Sequence, residues 1–339
     1  MTVQATTRVA AVPRRNWILL VARYRELGIV FFIVLMVLGV SARSGEAFFS
    51  VANFRDILMN ISILLIVALG QTMVVITGGI DLSVSSTIGL TAMMAAFVLV
   101  SFPGLPIPLL VLMSMALGLV LGAFNGAIIA FGNVPPIITT LGTLSIYRGL
   151  VFYYSQGNYV NAFEMPAAFK SLSKGTPLGV PNLILIALVV GVIVYYFLNY
   201  TRTGRDIYAV GGNKDAAQVA GIRVQRINFL VYTISGLLCG LAGVLWASRF
   251  ESAQTNTALG FELQTVAASV VGGVNILGGS GTVPGVGLGA LLLGIINNAL
   301  TLIRISPFWQ LATQGLLILL AVIVDSTIAR RIARMTVGK

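Results

Sequence analysis

Three clusters of polar side chains interrupt an otherwise apolar chain, and their chemistry suits binding or conduction rather than bond making. The first is Gln71 and Thr72 leading into Ile76-Thr77-Gly78-Gly79-Ile80-Asp81-Leu82-Ser83, with Ser85 and Ser86 beyond. Asp81 is the only acidic residue between Asp56 and Glu164. Such a carboxylate either caps the helix that follows the Gly-Gly break or lines a polar path, and both readings stand. The second is Pro135-Pro136-x-x-Thr139-Thr140-x-Gly142-Thr143 with Tyr147 and Arg148. Hydroxyls at Thr139, Thr143 and Tyr147 recur at every fourth position and so share one helical face. Arg148 falls near the outer end of its apolar stretch, where an arginine either faces a cavity or reaches for the interface. The third crowds Gly272, Gly273, Asn275, Gly278, Gly279, Gly281 and Gly285 into one short segment, followed by Asn297 and Asn298. Small residues permit close helix contact, while amides such as those of Asn125, Asn275, Asn297 and Asn298 suit a hydroxylated cargo.

The inventory excludes several functions. There is no His, and Cys239 is the only Cys, so zinc sites, disulfide frameworks and Ser-His-Asp or Cys-His catalysis are out of reach. No paired carboxylates stand at workable spacing, and the phosphate-cradling pattern G-x-x-x-x-G-K-[ST] is absent. The chain therefore reads as no enzyme, with no metal or cofactor of its own, and any energy source must lie on another chain. The net charge of +11 does not imply nucleic acid, because the basic residues gather at the ends of apolar runs and suit the membrane surface.

The elements that hold these clusters are membrane spans. Hydrophobic residues make up 57% of the chain, charged residues only 9%, and the mean hydropathy is +0.97; soluble domains carry about 25% charged residues. Apolar stretches near 27–42, 57–77, 84–101, 107–131, 135–154, 181–200, 227–249, 261–278, 283–302 and 308–326 predict an all-α polytopic protein of about ten transmembrane helices. The first stretch has no cleavage site after it and reads as a retained helix. Residues 1–26 and 327–339 form basic tails around a permeation domain over 27–326. With both termini in the cytoplasm, two thirds of the Lys and Arg side chains fall inside, in accord with the positive-inside rule. Gly122-x-x-Asn125 recurs as Gly294-x-x-Asn297, and the same offset relates Pro135 to Pro307, which suggests an inverted five-helix repeat. The junctions at 78–83 and 278–285 read equally as turns or as breaks within the membrane.

Between the runs 181–200 and 227–249 lies TRTGRDIYAVGGNKDAAQVAGIRVQR (201–226), which carries Arg202, Arg205, Asp206, Lys214, Asp215, Arg223 and Arg226. Each ionised side chain at the bilayer centre costs roughly 3 kcal/mol or more, so this loop must protrude, on the cytoplasmic side by the charge count. A charged protrusion of this size is a docking site for a soluble partner.

Four stretches together resemble the permease subunits of bacterial ABC sugar importers, in the branch of the ribose, arabinose, xylose, rhamnose and autoinducer-2 systems. They are ITGGIDLSVSS (76–86), VPPIITTLGTLSIYRGL (134–150), GRDIYAVGGNKDAAQVAGIRV (204–224) and VVGGVNILGGSGTVPGVGLGALLLGIINN (270–298). The resemblance implies a ten-helix inner-membrane subunit that pairs with a second copy or a close paralogue. It also implies a cytoplasmic ATPase with P-loop domains, which binds the ATP, and a periplasmic sugar-binding protein. The superfamily coupling pattern E-A-A-x-x-x-G is echoed by Asp215-Ala216-Ala217-Gln218-Val219-Ala220-Gly221. Asp215 is then expected to cap a short helix and Gly221 to end it, with Arg205 and Asn213 beside the contact. Permeases for branched-chain amino acids or nucleosides share this architecture and remain the alternative. An ion-driven transporter would be expected to carry acidic or His residues in its spans, which are nearly absent here, and a purely structural subunit would not require the loop.

Overall fold

The computed structural model describes residues 25–304 and, beyond them, positions 306, 309, 312, 315, 316, 319 and 323. Among these residues the secondary structure is helical: α1 (Arg25–Phe48), α2 (Val51–Ile76), α3 (Val84–Ser101), α4 (Ile107–Gly132), α5 (Pro136–Ser155), α6 (Ala167–Lys174), α7 (Asn182–Tyr200), α8 (Arg202–Gly212), α9 (Lys214–Val219), α10 (Val224–Phe250), α11 (Phe261–Val271) and α12 (Val283–Leu302). Seven of them, α1, α2, α3, α4, α7, α10 and α12, are long and apolar enough to cross a membrane. At 20 residues α5 is about 30 Å long and also of spanning length, although it carries three threonines, Tyr147 and Arg148.

Local chemistry sets the boundaries. Prolines open α4, α5 and α7, where the missing N–H has no intrahelical partner in any case. Thr201 caps α8 by accepting from Gly204 N, and Thr282 caps α12 by accepting from Gly285 N. The expected span 261–278 is helical over α11 alone, whose 11 residues, about 16 Å, are shorter than a core of about 30 Å. The helix ends at Gly272 because α12 returns against it there. A Cβ on Gly272 would lie 2.6 Å from the Gly285 carbonyl, and one on Gly289 would overlap the Ala268 carbonyl. The remainder of that run is an irregular segment. The expected span 308–326 and both basic tails lie largely or wholly outside the described residues.

α2, α3 and α10 form the buried centre, while α1, α4, α5 and α7 each turn an apolar face outward. The tightest crossing is α4 on α10. A Cβ on Gly118 or Gly122 would overlap the carbonyl of Gly236 or Tyr232, and one on Gly240 would overlap the Ser114 carbonyl. With no side chains between them, the two backbones make the dispersion contacts directly.

The packing is paired. α4 and α3 pack on α10, α12 and α11 pack on α2, and α2 and α10 pack on each other. The offset that carries Gly122 onto Gly294 carries α2 (51–76) onto 223–248, against 224–250 observed for α10. It carries α4 (107–132) onto 279–304, against 283–302 for α12. One end of the bundle carries α8 and α9. The other carries Asn53 paired with Asn298, Arg249 with Asp56, and Glu251 between Lys170 and Lys174.

Candidate functional site

The Gly-Gly break between α2 and α3 is enclosed, and Asp81 is only 2% exposed. Its Oδ1 accepts from Ser83 N (3.0 Å) and Ser83 Oγ (2.7 Å), and its Oδ2 accepts from Ser235 Oγ of α10 (3.3 Å). Ser83 Oγ in turn accepts from Asn125 Nδ2 of α4 at 2.8 Å. Tyr147 of α5 donates to the Leu121 carbonyl (2.8 Å), with Asn125 Oδ1 a longer alternative at 3.3 Å. Gln71 closes the set from α2: with its amide nitrogen facing the Asp81 carbonyl, it donates at 3.0 Å and accepts from Asp81 N at 3.1 Å. Thr140 adds a bond to the Ile80 carbonyl at 3.2 Å.

The arrangement is a chain of polarised donors, Asn125 to Ser83 to Asp81, anchored on four helices. A carboxylate taken out of water costs several kcal/mol unless donors replace its hydration. Here the Ser83 and Ser235 hydroxyls and the Ser83 peptide N–H do so, and among the described residues no cation stands at ion-pair distance from Asp81. Neither simple reading of Asp81 fits by itself. Ser83, not Asp81, is the N-cap of α3, and Asp81 makes a tight turn onto Ser83 just before the helix. Nor does the carboxylate border an open path in this conformation; it is the hub on which four other helices, α2, α4, α5 and α10, meet α3.

Arg148 is half-buried and reaches the loop between α10 and α11. Its Nη1 passes Gly89 of α3, where a Cβ would lie 2.9 Å away, and donates to the carbonyls of Thr255 and Thr257 at 2.9 Å each. Arg148 Nη2 and Glu262 Oε2 are buried without a hydrogen-bond partner among the described residues.

The other expected pathway residues are not gathered with this hub. Thr77, Thr139 and Thr143 each bond a carbonyl within their own turn. Asn275 accepts from Leu277 N in the glycine-rich segment at the α8–α9 end. Asn298 pairs with Asn53 at the opposite end, near Asn297 on the same turn of α12. Ser83, Thr140 and Ser235 complete the hub without having been expected to line a pathway. Ser83 and Thr140 do stand in the polar runs of the sequence, whereas Ser235, an ordinary hydroxyl in an apolar run, carries no separate signal.

The charged segment 201–226 is largely helical. Asn213, rather than Asp215, caps α9 by accepting from Ala216 N at 2.9 Å, while Asp215 sits in the first turn. There its negative charge meets the positive end of the helix. Gly221 ends the helix as expected: it takes a φ of +85°, its N bonds the Gln218 carbonyl, and Ile222 N bonds the Ala217 carbonyl. Ala217 faces inward, whereas Ala216, Arg205, Asn213 and Asp215 are exposed and Val219 is 91% exposed.

The family model described as the branched-chain amino acid transport system permease component matches residues 53–322. The ribose import permease RbsC of Escherichia coli (strain K12) is 39% identical over 297 residues, 86% of this chain and 91% of that protein. The autoinducer 2 import permease LsrC of Enterobacter sp. (strain 638) is 36% identical over 91% of this chain and 89% of its own length. The galactose/methyl galactoside import permease MglC of Escherichia coli (strain K12) is 37% identical over 89% of this chain and 95% of its own length. No solved structure matches the chain. An all-helical bundle with seven apolar spanning-length helices, matched along most of its length by import permeases, belongs to the family of membrane permease components of ABC importers.

Proposed function

We propose that this chain is the translocating subunit of an ATP-driven importer for a monosaccharide of the ribose, galactose or autoinducer-2 kind. It works as a dimer with a second copy or paralogue in the bacterial inner membrane. A periplasmic binding protein delivers cargo to the end carrying Asn53 and Asn298, and an ATPase subunit docks on α8 and α9. Both termini then face the cytoplasm, and the full chain has ten membrane-inserted segments, α11 being one of the shorter ones. The paired packing of α4 on α10 and α12 on α2 supports the inverted repeat.

The observation that carries the coupling role is α9 itself. A helix of six residues is far too short to stand alone, yet it is capped at both ends and presented in an exposed, charged setting on an apolar bundle. Asp215, Ala216 and Gly221, with Arg205 and Asn213 alongside and Ala217 packed beneath, form the contact. The hub around Asp81, Asn125 and Tyr147 governs the helices that open the pathway.

Reconstitution with the partner ATPase and binding protein tests the reading: D-ribose or D-galactose uptake is expected, dependent on ATP hydrolysis. Uptake of L-leucine in their place would favour the second reading, which the family model's description supports. Uptake driven by an ion gradient without ATP would reject both. Asp81→Asn at equal expression is expected to lower uptake severalfold; unchanged uptake would leave Asp81 a structural turn.

A further inference from the structure

We infer that a backbone junction of Ile76, Gly211, Gly278 and Gly279, closed by Tyr208 on Gly281, carries movement of α8 directly into the Asp81 hub. The inference rests on the reading that α8 and α9 meet the ATPase. Gly211 lies in the last turn of α8, and a Cβ there would overlap the Ile76 carbonyl at the end of α2. Gly278, at φ +95°, would place a Cβ 2.9 Å from both the Ile76 and Gly211 carbonyls. Gly279 N donates to the Ile76 carbonyl at 2.9 Å, and Tyr208 OH donates to the Gly281 carbonyl at 2.8 Å.

Three segments remote in sequence thus touch main chain to main chain, with the Tyr208 hydroxyl as a side-chain tie between two of them. Side-chain contacts absorb small displacements by changing rotamer, but peptide groups already at contact distance have no such freedom. A shift of α8 must therefore displace Ile76, or break the bonds that hold it. Only Thr77, Gly78, Gly79 and Ile80 separate Ile76 from Asp81, and the Gln71 amide ties the Asp81 peptide back to α2. On the other side, Gly281 is followed at once by Thr282, the cap of α12. The junction therefore reaches the start of one helix and the end of another, and through Ser83 and Ser235 it reaches α3 and α10. Burial pushes the Tyr208 phenol above its ordinary pKa, which keeps it a donor across the physiological range.

The neighbouring glycine supplies an internal control, since a Cβ on Gly212 would meet nothing within 4 Å. The test is the number of sugar molecules imported per ATP hydrolysed in proteoliposomes holding permease, ATPase and binding protein. Gly212→Ala is expected to match wild type. Tyr208→Phe is expected to lower the ratio about fivefold, the weight of one hydrogen bond, while the ATPase still co-purifies. Gly211→Ala is expected to lower it further; should that variant fail to fold, Tyr208→Phe decides. A wild-type ratio in Tyr208→Phe overturns the junction, as does a parallel loss of hydrolysis and uptake. Failure of the wild-type chain to bind any ATPase would instead overturn the proposed function.

Discussion

The two crossings related by the internal echo, α4 on α10 and α12 on α2, are made of different contacts. At the first, Gly118, Gly122, Gly236 and Gly240 set main chain against main chain, and Asn125 is buried one turn from Gly122 in the carboxylate hub. At the second, Gly294 stands where Gly122 does, yet a Cβ there would meet only the side chain of Ile61. Asn297, the counterpart of Asn125, is half-buried rather than enclosed. Main chain cannot yield and a side chain can. One crossing is therefore a fixed frame and the other a compliant joint, although a similar sequence pattern marks both.

The largest expected effect falls on the frame. Gly236→Val drives methyl groups into the Gly118 carbonyl and the Gly122 backbone, and is expected to cost about 3 kcal/mol or more, seen as loss of monodisperse protein on detergent extraction. Recovery with a wild-type thermal midpoint would erase the contrast. Next comes the amide pair. Asn125→Leu strips a donor from Ser83 and an acceptor from Tyr147, at about 1–3 kcal/mol, whereas Asn297→Leu is expected to shift the midpoint by clearly less. Equal shifts would mean that the two halves are braced alike. A smaller effect, under about 1 kcal/mol, is expected of Gly294→Ala, and it should vanish in an Ile61→Ala background, which lacks the Cγ1 and Cδ1 that the new methyl group would meet; a cost that persists there would show the joint to be as stiff as the frame.

The smallest effect lies at the end of α10 away from α8 and α9. The hydrogen bond from Lys174, then that from Lys170 and the charges of both, hold Glu251 below the ordinary carboxylate range. Its contribution is therefore complete above the free glutamate pKa of about 4.3 and is lost as pH falls through the depressed value. Partial exposure of these side chains limits it to about 0–1 kcal/mol. Glu251→Gln should flatten the acid side of the stability profile by that amount, and an unchanged profile would remove the pair from the account.

Much of the bundle was legible because apolar length is written in side chains: the runs at 84–101 and 283–302 are α3 and α12 almost to the residue. The run 261–278 reads as one continuous helix for the same reason, whereas only 261–271 is helical. Hydropathy weighs Val, Ile and Leu but is silent on where a glycine backbone must turn to admit a neighbour, as Gly272 does for Gly285. In the site, Asp81, Asn125 and Tyr147 were legible as polar residues out of place. Ser235 was not, since one serine in an apolar helix reads as packing. The partners of Arg148 were illegible in principle, because they are carbonyls more than a hundred positions away. The cap of α9 shows a finer limit: the pattern singled out Asp215, but only backbone geometry puts Asn213 at the position whose side chain can turn back on the helix.

The Asn53–Asn298 pair has a consequence for descent. Each amide donates to the other's oxygen, at 2.7 and 3.2 Å, between positions far apart in the chain. A change at either position alone leaves the other with a lost partner, so drift at one site is penalised until the second changes with it. The two positions are expected to be inherited as a single character. An alignment of relatives in which they vary independently would show that this end of the joint was never under common constraint.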